Sequence, residues 1–350
     1  MYGITVAYNI RTPTMAFRRK RLIKTEDELS SARIDMREKP KKGWGKKERS
    51  FVFLVVIGTS LTAFLLAFTS RQGKLPGLPR LSGSSIGMSE TVVLTKTQAP
   101  PSVKKKQNET ILAFTEAVSQ LSGVYSFVAV DLNSGEVYGV NEYEPMQAAS
   151  LIKLPVMAQF LKMAEDGKIN LDTVYTLRDA DKIGGSGSLQ YKAAGTELTY
   201  RELVQLMGKQ SDNTAFNVVR KKIGDQAIAD YMKNVGMKNT DLLENMTTPS
   251  DMALLFEKIY QAQIISVASR DLLLESLTGT IYEQHLVKGI PEGIKVAHKY
   301  GRELHVVNDG GVVYSESPYV VVIMTAGIVE AEADSVFPKL SQIIFEGQTY

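Results

Sequence analysis

The residues best placed to do chemistry are a hydroxyl and an amine three positions apart, in Ala148-Ala149-Ser150-Leu151-Ile152-Lys153-Leu154-Pro155. An extended pattern gives way there to an apolar helix, and on a helix i and i+3 share a face. Lys153 Nζ can then reach Ser150 Oγ and, unprotonated, take its proton, the help that a weak serine nucleophile needs. A helix starting at Ser150 also offers free backbone N–H groups and a positive dipole end where an oxyanion would form. Alone, Ser-x-x-Lys arises by chance about once or twice in a chain this long, so its weight depends on what lies downstream.

Downstream lies Ser211-Asp212-Asn213, a rarer tripeptide, between a helix opened by the capping box Thr199/Glu202 and a second one through Phe216, Val218 and Val219. Its local reading is a helix N-cap at Ser211 or Asp212, which is compatible with a chemical role. Lys299-Tyr300-Gly301 stands at the end of an alternating strand. Other candidates are weaker. Asp179 and Asp181, two apart in a polar stretch, read as solvated loop residues. Gly184 to Ser188 has no following Lys-Ser/Thr and reads as a rim loop, not a phosphate cradle. His285, His298 and His305 have no metal-ligand spacing, and there is no cysteine, so thiolate nucleophiles, disulfides and cysteine metal sites are excluded. No cofactor is expected.

At 350 residues and 44% hydrophobic, the chain can bury a large core. Its net charge of +3 is uneven: residues 1–50 hold 14 Lys/Arg against 6 Asp/Glu, leaving 27 against 32 in the rest. Residues 51–69 are nineteen positions without a charge, enough at ~1.5 Å each nearly to span a hydrocarbon core of about 30 Å. The expectation is an uncleaved transmembrane signal anchor. The basic excess before it puts residues 1–50 in the cytoplasm as a basic tail and the remainder outside the cell membrane. Residues 70–107, rich in Pro, Ser, Gly and Lys, read as a flexible linker. With no nucleic-acid-binding fold behind the basic runs, nucleic acid is not an expected partner.

Residues 108–350 read as the folded domain. Ile111, Phe114, Val118 and Leu121 repeat at helical spacing, and 125–132 and 136–140 flank Asn133-Ser134-Gly135 as a β-hairpin. The Ser150 helix, apolar nearly all round, runs to about Ala164. Strands are expected at 294–299, 310–314 and 319–325, and a last helix carries Val336, Leu340, Ile343 and Ile344.

Ser150-x-x-Lys153, Ser211-Asp212-Asn213 and Lys299-Tyr300-Gly301, in that order, resemble the serine β-lactamases of class A and the related penicillin-binding D,D-peptidases. The resemblance covers about residues 108–350. It implies an α+β fold: an antiparallel sheet flanked by the first and last helices, with an all-helical lobe from about 150 to 285 inserted and the nucleophile in the cleft between. It also implies roles. Ser150 attacks an acyl carbonyl, Lys153 is its base, Ser211 relays a proton to the departing nitrogen, Lys299 sets a positive potential, and Asn213 bonds Lys153 or a substrate amide. Tyr300, Gly301 and Arg302 belong to the substrate wall, and the N–H groups of Ser150 and Arg302 form the oxyanion hole. Expected substrates are a β-lactam or a D-Ala-D-Ala-like peptidoglycan peptide; the alternative is a degenerate domain that binds wall fragments as a sensor or scaffold.

Two departures from the family pattern stand out. Tyr300 replaces a Thr or Ser whose hydroxyl helps bind a substrate carboxylate, a contact that Arg302 could supply instead. The Glu-x-x-Leu-Asn of the Ω-loop, which activates the deacylating water, is missing between Met237 and Met246. Glu244 is the candidate replacement there and Asp241 the next carboxylate.

Overall fold

The computed structural model describes residues 101–348. The basic tail 1–50, the apolar segment 51–69 and the linker as far as residue 100 lie outside the described residues. Among the described residues no helix is long and apolar enough to cross a membrane. The first helix, α1 (Pro101–Val118), starts inside the stretch expected to be linker. A proline is well tolerated where a helix begins, and Gln107 ties the helix to the first hairpin through Glu136 Oε2 at 3.0 Å.

After α1 come β1 (Val124–Asp131) and β2 (Val137–Val140), paired antiparallel about the expected turn, which the Asp131 carboxylate closes by accepting the N–H groups of Asn133 and Ser134. The short β3 (Met146–Gln147) then leads through a 3-10 turn, Ala149–Ile152, into α2 (Lys153–Glu165). Next come β4 (Val174–Thr176), β5 (Glu197–Thr199), α3 (Tyr200–Lys209), α4 (Asn213–Ile223) and α5 (Asp225–Val235). They are followed by β6 (Met246–Thr247), α6 (Pro249–Tyr260) and α7 (Val267–Ser276). The chain closes with β7 (Val296–Glu303), β8 (Val306–Val313), β9 (Tyr319–Ala326) and α8 (Glu330–Gln348).

The five-stranded antiparallel sheet has the order β2-β1-β9-β8-β7. β9 lies between β1 and β8 and is covered on both faces, which explains its unbroken run Tyr-Val-Val-Val-Ile-Met-Thr. Alternation sorts the two faces. Val128, Val130, Val320 and Val322 pack with the inserted lobe around α2, while Phe127, Ala129, Val321 and Ile323 pack with Phe114, Phe337 and Leu340 of α1 and α8. The inserted lobe is helical but not wholly so: β3 pairs with β6 and β4 with β5 as two-stranded ribbons. α2 is its central helix, with every residue from Lys153 to Ala158 buried. The predicted capping box is present, Thr199 and Glu202 satisfying each other's backbone N–H groups at the start of α3, and at the start of α6 Thr248 Oγ1 accepts the Asp251 N–H beside Pro249.

Candidate active site

Ser150 is presented by a segment pinned from both lobes. Ala148 N donates to Asn245 O at 2.7 Å, and Asn308 Nδ2 of β8 donates to Gln147 O at 2.8 Å and Ala148 O at 3.2 Å. Ala149 adopts φ 48°, a left-handed conformation costly for a residue with a Cβ, so the chain is held there by its surroundings. Ser150 lies in the 3-10 turn and α2 begins only at Lys153, three residues later than expected; the tighter turn still brings serine and lysine onto one face. Pro155 falls in the first turn of α2, where a missing N–H is harmless.

Lys153 is 3% exposed. Its Nζ lies 3.1 Å from Ser150 Oγ, 3.1 Å from Ser211 Oγ and 2.6 Å from Asn213 Oδ1, and it also donates to Ser211 O. Lys299, 1% exposed on β7, donates to the same Ser211 Oγ at 2.8 Å and to Tyr300 O at 2.7 Å. The four groups thus form one hydrogen-bonded chain, Ser150–Lys153–Ser211–Lys299. Burial pushes the Lys153 amine down to about 7 against the opposing pull of Asp212 and Glu303. Burial, and then the neighbouring Lys153, hold Lys299 well below the ordinary lysine range, against the pull of Asp309. A buried amine near 7 is neutral often enough to accept the Ser150 proton, and the Ser211 hydroxyl between two amines can pass a proton on.

Ser211 is another left-handed non-glycine, at φ 53°. It is fixed by Asp212, fully buried, whose carboxylate accepts Ala215 N to cap α4 and Leu189 N from the facing loop, both at 2.9 Å. Asp212 therefore shapes the loop. Asn213 Nδ2 donates to Gly184 O at 2.8 Å and Asn213 N to Ser186 O at 3.0 Å, so the glycine-rich rim holds the amide that faces Lys153. Gly185 (φ 102°) is required there, because a Cβ would lie 2.7 Å from Asn213 Nδ2.

The edge strand β7 closes the other wall. His298 N–H donates outward to Leu277 O at 2.8 Å, and with a period of two the N–H groups of Tyr300 and Arg302 face the same way. Gly301 brings this edge against the nucleophile: a Cβ on it would stand 2.9 Å from Ser150 N. The Arg302 N–H thus points off the free edge of β7, one residue from the glycine that packs against Ser150 N.

A profile of the Beta-lactamase enzyme family matches residues 107–348. The chain belongs to that family. It is 27% identical over 185 residues to Beta-lactamase L2 of Stenotrophomonas maltophilia, a match spanning 47% of this chain and 61% of the relative. Among solved structures, a PBP-A mutant in an acyl-enzyme complex with penicillin G is 26% identical with a TM-score of 0.64, covering 71% of this chain and 98% of that one. A β-lactamase from Sphaerobacter thermophilus is 26% identical with a TM-score of 0.65, covering 69% and 97%. The fold is that of a class A β-lactamase-like serine hydrolase.

Tyr300 and Arg302 line a hollow of about 510 Å³ with Ser150 and Ser211, and the expectation that needs correction is Glu244. The Arg302 guanidinium is held by Glu330 and Asp334 at 2.6 and 2.8 Å, and its Nη1 lies 3.4 Å from Tyr300 Oη. Tyr300, 6% exposed, is stacked between Tyr282 at 5.0 Å and His285 at 4.7 Å, so its phenol serves an aromatic pile and not a short hydroxyl's position. Glu244 is exposed and is not among the residues lining the hollow of about 370 Å³ beside Ser150. The Asp241 carboxylate accepts the N–H groups of Leu243 and Glu244, forming a turn that sends Leu243 and Asn245 into the hollow instead. A smaller correction concerns Asp181, which is buried rather than solvated, accepting Tyr175 Oη at 2.6 Å and two Arg178 nitrogens.

The residue that sequence reasoning missed is Glu303. It lines the Ser150 hollow from the end of β7 and accepts Asn245 Nδ2 at 2.9 Å. Its place just beyond Lys299-Tyr300-Gly301 was the available signal.

Proposed function

We propose that this chain is a serine acyl-transfer enzyme in which Ser150 is acylated by β-lactams or by D-Ala-D-Ala-like peptides, and in which the acyl-enzyme persists. The observation carrying the reading is the contact of Lys153 Nζ with Ser150 Oγ at 3.1 Å, made by an amine that burial holds near 7. In the acylation step Lys153 takes the Ser150 proton as the Oγ–C bond forms, and the oxyanion lies against the Ser150 and Arg302 N–H groups. The C–N bond then breaks, and Ser211 hands a proton to the departing nitrogen, resupplied by Lys153 or Lys299. Persistence follows from the exposed position of Glu244, which leaves the Ω segment without a base in the cleft. The PBP-A relative captured as an acyl-enzyme with penicillin G supports β-lactam as the ligand class. Anchoring by residues 51–69, with the catalytic domain outside the membrane, completes the proposal and places it beside cell-wall substrates.

A second reading, a wall-fragment sensor without turnover, is favoured by one feature, the bulky Tyr300 in the third motif. Intact mass spectrometry with penicillin G, beside a Ser150→Ala control, separates the two. A long-lived adduct absent from the control is expected. Drug loss with no adduct would replace persistence by fast turnover, and the absence of both from folded protein would favour the sensor.

A further inference from the structure

The segment between α5 and β6 has a second side. Leu242 and Leu243, which line the Ser150 hollow of about 370 Å³, also line a hollow of about 420 Å³ whose lining includes none of the four catalytic groups. Its floor is apolar: Met232 of α5, Met237 and Leu242 are buried, and Ala229 and the 72% exposed Leu243 add to it. Its two acids are committed. Asp225 is held by two Arg220 nitrogens at 2.6 and 3.0 Å, and Asp241 accepts the N–H groups of Leu243 and Glu244 at 2.8 and 3.0 Å. Its two cations are free: among the described residues neither Lys233 nor Lys238 makes a hydrogen bond or an ion pair. The wall shared with the cleft is tied to the nucleophile, since Asn245 O, two residues beyond Leu243, accepts the Ala148 N–H at 2.7 Å.

An apolar hollow of ligand size with two unpaired ammonium groups in its lining complements an anion carried on an apolar body. We propose that this hollow binds a small amphiphilic anion, a carboxylate or phosphate monoester on an aliphatic or aromatic body, and that its occupant slows acylation by pressing Leu242 and Leu243 into the Ser150 hollow. Binding stands on the hollow alone; only the slowing rests on the acylation reading above. Both lysines are exposed, so each attracts an anion as one half of a water-screened pair, and together they are worth about fivefold in affinity. Coupling is reciprocal, so a penicillin held in the cleft weakens the occupant's binding by the factor by which its own is weakened.

Octanoate and octanamide serve as probes because they share a chain and differ by one charge. In full-length protein in detergent at pH 7, ligand-observed NMR titration should give octanoate the lower Kd by about fivefold, less so in high salt. Lys233→Gln with Lys238→Gln should bring the two Kd values together. Ala229→Trp, at an exposed helix position, should fill the hollow and abolish binding of both, whereas Lys339→Gln, on α8, should change neither. Saturating octanoate should slow penicillin G adduct formation about threefold in the parent and leave it unchanged in the double variant. Equal affinities, no measurable binding of octanoate, or a preference that survives Lys233→Gln with Lys238→Gln would overturn the site. Octanoate binding with an unchanged adduct rate would strike the slowing and leave the site. Octanoate binding to a folded protein that penicillin G never acylates would refute the acylation reading, and the slowing with it, while the site stands.

Discussion

The depressed Lys153 amine makes a quantitative demand on the pH dependence of acylation. An ordinary lysine at 10.5 is neutral in only about one molecule in three thousand at pH 7, whereas one near 7 is neutral in about half. Burial thus raises the supply of free base roughly a thousandfold, provided that Lys153 is the group that deprotonates Ser150. The rate of adduct formation should therefore climb about tenfold per pH unit below 7, bend near 7 and level off above it. Lys153→Arg keeps a cation in the same place but cannot release its proton, so acylation should fall by about 10³ or more at pH 7 and the bend should vanish. The assay is the second-order rate of penicillin adduct formation from pH 5 to 9, read by quenched-flow mass spectrometry. A flat profile across that range, or a Lys153→Arg protein acylated within tenfold of the parent, would refute the assignment of Lys153 as the base.

The same burial has a stability consequence: between about 7 and the unfolded-state value of 10.5 the unfolded chain binds the extra proton, so stability rises with pH there. Lys153→Met should stabilise the protein more at pH 6 than at pH 9, flattening a slope of at most ~1.4 kcal/mol per pH unit in denaturant titrations. Gly301→Ala would push a methyl to within 2.9 Å of Ser150 N, so it should cut acylation about 10²-fold and also lower the unfolding midpoint, through about 1–3 kcal/mol of overpacking. Tyr300→Thr empties a stacked, buried site between Tyr282 and His285 and should cost about 2–4 kcal/mol of stability in urea unfolding.

Most of the sheet was legible because its strands obey simple rules: β1 and β2 flank a turn sequence, and β9 is apolar throughout because it is covered on both sides. The start of β8 was not, since Asn308-Asp309-Gly310-Gly311 looks like a loop. Its polar groups are satisfied only by tertiary partners: Asn308 Nδ2 by Gln147 O and Ala148 O, and Asp309 by His298 Nδ1 at 2.7 Å and Leu286 N. Serine and lysine were readable at the site from their spacing, and Ser211 and Lys299 from motif resemblance. Glu303 escaped: its place just beyond Lys299-Tyr300-Gly301 puts it near the site, but a strand-end glutamate does not say which hollow it borders. The direction of Glu244 escaped too, because it depends on which backbone N–H groups the Asp241 carboxylate captures.

Four costly features of the described residues meet at the site. Two lysines are buried with hydrogen bonds and only more distant carboxylates to hold them, and Ala149 and Ser211 sit in left-handed backbone, each worth of order 1–3 kcal/mol of strain. All four lie where the sheet edge meets the inserted lobe, between two apolar clusters on either face of the sheet that can bear the expense. The arrangement has a chemical logic. Two ammonium groups sharing one serine oxygen repel, so the Lys153–Ser211–Lys299 chain favours holding one proton fewer than its amines could carry. The missing proton is the one Ser150 must lose, and the proton it then gains can leave through Ser211. Strain and buried charge here keep a base unprotonated next to a nucleophile, and a more stable version of the same junction would be a poorer catalyst.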